Sequence, residues 1–255
     1  MTRFLMGLVL SLVFSAANAV TAKSYIVTEM DGTVLLEQNA DEVRPIASIT
    51  KLFTTREAFT GDLSELIEIQ QSDMRLGKMR STPLRVGQKY TRAQLIDLAL
   101  ISSDNVAAMA LGRVDPVVSP LPLGTTIVEA SGLDPQNQST ARSIAALARG
   151  LVATELAKTS VQPSVSIGSV TKGSTNPLIT KPGWVFHLSK TGFINASGGC
   201  LVVVFESGQR LLTAVILGSR DVPARWRDLF ELRQKFDSSE FASPVVTKVR
   251  RRRGR

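Results

Sequence analysis

The sequence predicts an α+β fold in which one antiparallel sheet, flanked by helices, is built from both ends of the chain, with a helical lobe inserted between them. Three observations predict it. Ser24 to Gln38 alternates around Asp31-Gly32, with Tyr25 and Val27 before the turn and Val34 and Leu36 after it, as a hairpin does. Cys200 to Glu206 and Leu211 to Leu217 repeat the arrangement around Ser207-Gly208-Gln209. The stretch between the two hairpins instead carries apolar residues at helical spacing.

After Pro45, Ser48 to Phe59 has a helical pattern that stops before Gly61. Thr91 to Ile101 puts Leu95, Ile96, Leu98 and Ala99 on one face, Val106 to Leu111 continues apolar, and Thr140 to Val152 spaces Ile144, Leu147 and Leu151 as a helix does. Between them, Pro116, Pro120 and Pro122 forbid a helix over Asp115 to Gly124. Trp184 to Ser189 is a further strand. Pro223 opens a last helix whose apolar stripe, Trp226, Leu229, Phe230 and Phe236, faces the sheet as core; the alternative is a membrane-surface face.

The chain has 255 residues, 44% hydrophobic and 20% charged, which is the balance of a folded globular protein. A single Cys and a single His exclude an intramolecular disulfide, a Cys/His zinc cluster and a two-His metal site. No metal and no cofactor is expected, and a Ser-His-Asp hydrolase would have only His187 to use. Arg3, the apolar run Phe4 to Phe14 and Ala17-Asn18-Ala19 form the pattern of a secretory leader over residues 1–19, the alternative being an uncleaved anchor. The run is well short of the ~20 residues that span a bilayer. Much of the net charge of +8 belongs to Lys248, Arg250, Arg251, Arg252, Arg253 and Arg255, within a flexible tail over 238–255. Such a tail makes weak electrostatic contact with anionic wall polymers or membrane, and no specific nucleic acid is expected.

Three short motifs carry chemistry. Ser48-Ile49-Thr50-Lys51 opens a predicted helix, where residues three apart share a face and the Lys51 amine reaches the Ser48 hydroxyl. A serine needs a base to become a nucleophile, and a neutral lysine can serve. The Ser48 N–H and the positive end of the helix then face an oxyanion. Ser103-Asp104-Asn105 offers a hydroxyl that relays a proton and an amide that accepts from Lys51 while donating to a substrate carbonyl. Lys190-Thr191-Gly192 ends the strand Trp184 to Ser189, with Gly192 leaving room for a substrate backbone and the Phe193 N–H as second oxyanion donor. Lys190 adds a second cation, which together with burial favours a neutral Lys51. Each motif alone has a plainer reading, an exposed helix turn for the first and a helix N-cap for the second. His187 is read as an ordinary strand residue and Cys200 as buried and inert.

Together and in this order, the motifs resemble those of the penicillin-binding serine D,D-peptidases, and among them the D-alanyl-D-alanine endopeptidases of the penicillin-binding protein 7 kind. The resemblance runs from about Ser24 to Arg233. It is also carried by Arg44-Pro45-Ile46-Ala47 ahead of Ser48, by Val128-Glu129-Ala130-Ser131-Gly132-Leu133, by Ser139-Thr140-Ala141-Arg142 and by Gly199-Cys200-Leu201-Val202. It implies a β-lactamase/transpeptidase-like fold for residues 20–237, with the active site between sheet and helical lobe. It also implies acylation of Ser48 by a D-alanyl residue of a peptidoglycan stem peptide, Lys51 as base, and Ser103 and Asn105 at the leaving amine and substrate amide. Lys190 and Thr191 would hold the substrate carboxylate, β-lactam antibiotics would inhibit covalently, and the place of work would be the periplasm.

The chain departs from that family in two places. Relatives usually carry an extra helix where this chain has Asp115 to Gly124, and Thr159 to Ser174 is short for the group. Two other functions share the motifs: a β-lactamase, for which Glu129 is the available deacylation base, and an inactive peptidoglycan-binding member of the fold.

Overall fold

The computed structural model describes residues 20–74, 82–118 and 120–237, so the leader and tail regions lie outside the described residues. Its sheet runs in the order β2 (Val34–Gln38), β1 (Ser24–Glu29), β11 (Arg210–Ser219), β10 (Gly198–Ser207) and β9 (Phe186–Ile194), all antiparallel. The two ends of the chain meet where β1 pairs with β11, from Ser24 opposite Leu217 to Glu29 opposite Leu212. In the first hairpin Gly32 takes a φ of 95°, and the Asp31 carboxylate accepts from the Thr33 N–H at 2.8 Å. The hairpin that Asp-Gly announces is present, with only Gly32 of the pair at positive φ.

Alternation along the strands divides the core in two. Cys200, Val202 and Val204 of β10 face one side with Ile26, Val215 and Leu217, where α4 (Ala141–Leu151) lays down Ile144, Ala145 and Ala148. Leu201, Val203 and Phe205 face the other side with Val27, Ala214 and Ile216, covered by Leu229, Leu232 and Phe236 of α6 (Val222–Asp237). Burial on both faces explains the unbroken apolar run from Cys200 to Phe205. The stripe of α6 is therefore core at Leu229 and Phe236, whereas Phe230 is 42% exposed and leans edge-on against Trp184, with ring centroids 5.2 Å apart. Phe205, fully buried under Trp184, anchors this layer. Phe205→Ala is expected to lower unfolding free energy by ~3–5 kcal/mol in urea titration, and a loss below ~1 kcal/mol would contradict the packing.

The helical lobe contains α1 (Lys51–Ala58), α2 (Arg92–Asp97) and α3 (Asn105–Val114), while α5 (Glu155–Ser160) packs against β9. A reciprocal Thr91–Gln94 capping box starts α2. The single helix expected over Thr91 to Ile101 ends early, passing at Leu98–Ser102 into a π turn. Three short ribbons were not expected: β3 (Arg44–Pro45) with β6 (Gln138–Ser139), β4 (Leu66–Glu68) with β5 (Lys89–Thr91), and β7 (Ser164–Ile167) with β8 (Val170–Gly173). The described part of Asp115 to Gly124 contains no helix, in accord with its prolines. Among the described residues no helix is long and apolar enough to cross a membrane.

Candidate active site

Ser48 lies in a 3₁₀ turn, Ala47–Thr50, that runs into α1 at Lys51, and not within the α-helix that its spacing suggested. Three residues of separation still bring the side chains together, with Lys51 Nζ 2.9 Å from Ser48 Oγ. Lys51 is fully buried, and its Nζ also donates to Asn105 Oδ1 at 2.8 Å and to the Ser131 carbonyl oxygen at 2.5 Å. The last two oxygens can only accept, whereas the Ser48 hydroxyl can also donate. A neutral amine that gives its two hydrogens to Asn105 and Ser131 keeps its lone pair for the Ser48 O–H. An ammonium gives all three hydrogens to the same oxygens. The cage therefore accommodates both ends of a proton transfer from Ser48 to Lys51.

Ser103 follows the π turn in left-handed conformation, φ 59° and ψ 38°, and its Oγ accepts from Lys190 Nζ at 2.8 Å. Asp104 caps α3, its carboxylate accepting from the Ala107 N–H at 3.0 Å. The N-cap reading thus holds for the middle residue of the motif, while its neighbours turn to the two lysines.

Lys190-Thr191-Gly192 sits inside β9, not at its end, because the strand begins only at Phe186 and continues to Ile194. Trp184 is held before it in a turn, its N–H donating to the Lys181 carbonyl. Gly192 also serves a purpose other than the expected one. A Cβ there would stand 2.9 Å from the Ile46 carbonyl oxygen and 3.0 Å from the Ser48 nitrogen, so bare backbone lets β9 close onto the turn that carries Ser48. Lys190 is buried, and its Nζ donates to the Thr191 carbonyl at 3.1 Å as well as to Ser103.

Ser48, Ser103, Asn105, Thr191, Gly192 and Phe193 all line one cavity of about 160 Å³. The motifs did not point to three other contributors. Ser131 gives its carbonyl to Lys51; Thr175 accepts from Thr191 Oγ1 at 2.7 Å; Arg225 of α6 donates to the Gly192 carbonyl at 3.0 Å and lines the cavity with Thr175. Only Ser131 had a signal, in the Val128 to Leu133 segment.

Glu129 does not line this cavity. Its carboxylate accepts from the Ser131 N–H and Oγ, from Asn137 Nδ2 and from the Asp134 N–H, at 2.6, 2.7, 2.7 and 3.2 Å. It holds the loop that aims the Ser131 carbonyl at Lys51. His187 pairs with Glu206 at 2.9 Å on the exposed side of β9, and Cys200 is fully buried, its thiol pKa pushed up by burial.

The family model of the D-alanyl-D-alanine carboxypeptidases, peptidase family S11, matches residues 12–115 and 123–221. The chain belongs to this family. The interruption of the match falls in the proline-bearing stretch. The chain is also similar to the D-alanyl-D-alanine endopeptidase of Pseudomonas aeruginosa, 32% identical over 89% of this chain and 81% of that protein. The corresponding endopeptidase of Escherichia coli is 28% identical over 86% of this chain and 78% of its own length. Penicillin-binding protein D2 of Listeria monocytogenes, solved in an ampicillin-bound form, is similar with a TM-score of 0.71 and 25% identity, covering 85% of this chain and 98% of that one. A mutant of the Streptomyces K15 DD-transpeptidase shares the fold, with a TM-score of 0.75 at 21% identity over 85% and 97%. The protein is accordingly a serine-type D-alanyl-D-alanine peptidase of the penicillin-binding class, and its fold is theirs.

Proposed function

We propose that Ser48 is the nucleophile and Lys51 its base, in a peptidase that cuts the D-alanyl cross-links of peptidoglycan. The observation that carries this is the Lys51 cage, in which one amine meets the Ser48 hydroxyl and two oxygens that only accept. Ser48 Oγ attacks the D-alanyl carbonyl carbon as its proton passes to Lys51 Nζ, and the oxyanion meets the backbone N–H groups of Ser48 and Phe193. Asn105 holds the substrate amide. Ser103 relays the proton held on Lys51 to the departing nitrogen, which leaves as the amine; water then attacks the ester, and its proton passes through Lys51 to Ser48 Oγ as Ser48 is freed. Thr191, with Lys190 behind it and Arg225 across the cavity, receives the substrate carboxylate.

Cross-link cleavage is favoured over terminal carboxypeptidase action by the names of the two curated relatives reported above, which are endopeptidases. Export to the periplasm is inferred from the leader pattern in residues 1–19, and weak contact of the tail with anionic wall or membrane from its six basic residues. Wall binding unaltered by salt would contradict that contact.

Intact mass of the chain mixed with benzylpenicillin, followed over time, tests the reading. One long-lived adduct is the expected result. Rapid turnover with accumulating hydrolysed drug would make the protein a β-lactamase, a reading the confinement of Glu129 to its loop disfavours. No adduct would leave a binding protein that has kept the fold. Digestion of cross-linked muropeptides then separates endopeptidase from carboxypeptidase by the bond cut.

A further inference from the structure

The cavity holds a hydroxyl that none of the three motifs supplies. Thr175 follows the β7–β8 ribbon, and its segment is fixed from both sides. Its N–H donates to the Ile101 carbonyl of the π turn at 3.0 Å, and the Ser174 N–H donates to the Pro163 carbonyl at 2.8 Å. The buried neighbour Asn176 donates from Nδ2 to Ser189 Oγ of β9 at 2.9 Å and accepts from the Leu178 N–H at 2.8 Å. These bonds tie the segment to the helical lobe and to β9 together. They leave Thr175 Oγ1 on the cavity wall, 2.7 Å from Thr191 Oγ1.

Two hydroxyls carry two hydrogens, and the bond between them uses one. The other is presented to a third group. Arg225 lines the same cavity and Lys190 immediately precedes Thr191, so the group best matched to this wall is an anionic oxygen. We propose that Thr175 is a substrate-binding residue, which with Thr191 forms a two-hydroxyl clamp on the carboxylate beside the scissile D-alanyl bond. This rests on the function proposed above. Thr191 donates to Thr175, and Thr175 donates to the carboxylate. The inner bond polarises the outer one, so the pair binds an anion more strongly than a lone hydroxyl does.

The test is the second-order rate of acylation by benzylpenicillin, which bears a carboxylate, and by its methyl ester, which does not. Thr175→Val is expected to lower the rate with the acid about tenfold, the scale of one charge-assisted hydrogen bond, and to leave the rate with the ester unchanged. Thr175→Ser keeps the hydroxyl and restores discrimination between the two compounds. An equal partial fall, in a valine variant that still reacts with both acid and ester, would make Thr175 a scaffold residue only and overturn the proposal, as would a valine variant that behaves like the parent. Failure of the parent chain to react with either compound would instead overturn the proposed function, and this inference with it. Because the ester reports on every variant, a misfolded protein is recognised by its loss of both reactions, and the serine variant then decides: parental discrimination supports the clamp, lost discrimination overturns it.

Discussion

Ser48→Ala forms no covalent adduct with benzylpenicillin, because the oxygen that becomes the ester is absent. The fold survives, since only a small hydroxyl is removed from the edge of the cavity. Lys51→Met fails differently. There the Ser48 hydroxyl remains but its base is gone, and acylation falls by about 10²- to 10⁴-fold, the range that general-base catalysis contributes. The buried Ser131 carbonyl oxygen also loses a donor, at ~1–3 kcal/mol for a group left unsatisfied, and Asn105 Oδ1 loses one at the cavity wall. The lysine variant should therefore unfold at lower denaturant than the serine variant. Because the two groups act as a unit, the double variant should acylate no worse than Ser48→Ala alone. Mass spectrometry and urea titration read both effects. An adduct that persists in Ser48→Ala would place the nucleophile elsewhere and end the assignment.

What the sequence disclosed about the fold follows from the length of each pattern. The hairpins at Asp31-Gly32 and Ser207-Gly208 were legible because five or more strand-forming residues lie on each side of a turn that glycine permits. Helix α4 was legible because Ile144, Leu147 and Leu151 recur at helical spacing behind Thr140; Ile144 and Leu151 are buried and Leu147 packs against their cluster partly buried. The two- to four-residue strands β3 to β8 were not, since so few residues contain no period. The π turn at Leu98–Ser102 was invisible for another reason. Leu98 to Ile101 continues the apolar face that Leu95 and Ile96 begin in the α-helix before it, and what separates the two is hydrogen-bond pairing, not side-chain type.

The reacting groups were legible as residue types at short spacing: Ser48 with Lys51, Ser103 with Asn105, Lys190 with Thr191. What surrounds them was not. Ser131 serves through a backbone carbonyl, to which no side chain is committed, so the sequence carried only a resemblance across its segment. Thr175 and Arg225 reach the cavity from a loop and from α6, and their distances in sequence from Ser48 are set by the closing of the sheet. Gly192 was noticed for the cavity it lines, but its second neighbour was not. A glycine beside a nucleophile suits close approach by substrate or by protein, and only the fold shows that the Ile46–Ser48 backbone also comes close to it.

Gly132 is the position where a single methyl group should do most harm to the supporting shell. Its φ is +82°, and a Cβ there would stand 2.0 Å from the Ala47 carbonyl oxygen, 2.4 Å from its carbon and 2.9 Å from the Ser48 nitrogen. All three are backbone atoms of the turn that carries the nucleophile, so no side chain can swing aside. Either that turn or the Ser131–Leu133 loop must move, and the Ser131 carbonyl bonded to Lys51 moves with it. Gly168 provides the comparison. It also has a positive φ, +56°, but lies in the β7–β8 turn with nothing within 4 Å of its would-be Cβ. Gly168→Ala therefore carries the left-handed backbone cost alone, ~1–2 kcal/mol, and should acylate at the parental rate. Gly132→Ala adds overpacking to that cost, for a total of about 3 kcal/mol or more, and should acylate at least about tenfold more slowly. If the two variants lost equal stability and kept equal rates, glycine at 132 would be required for its φ only, and the contact between its loop and the Ser48 turn would have no part in holding the lysine cage.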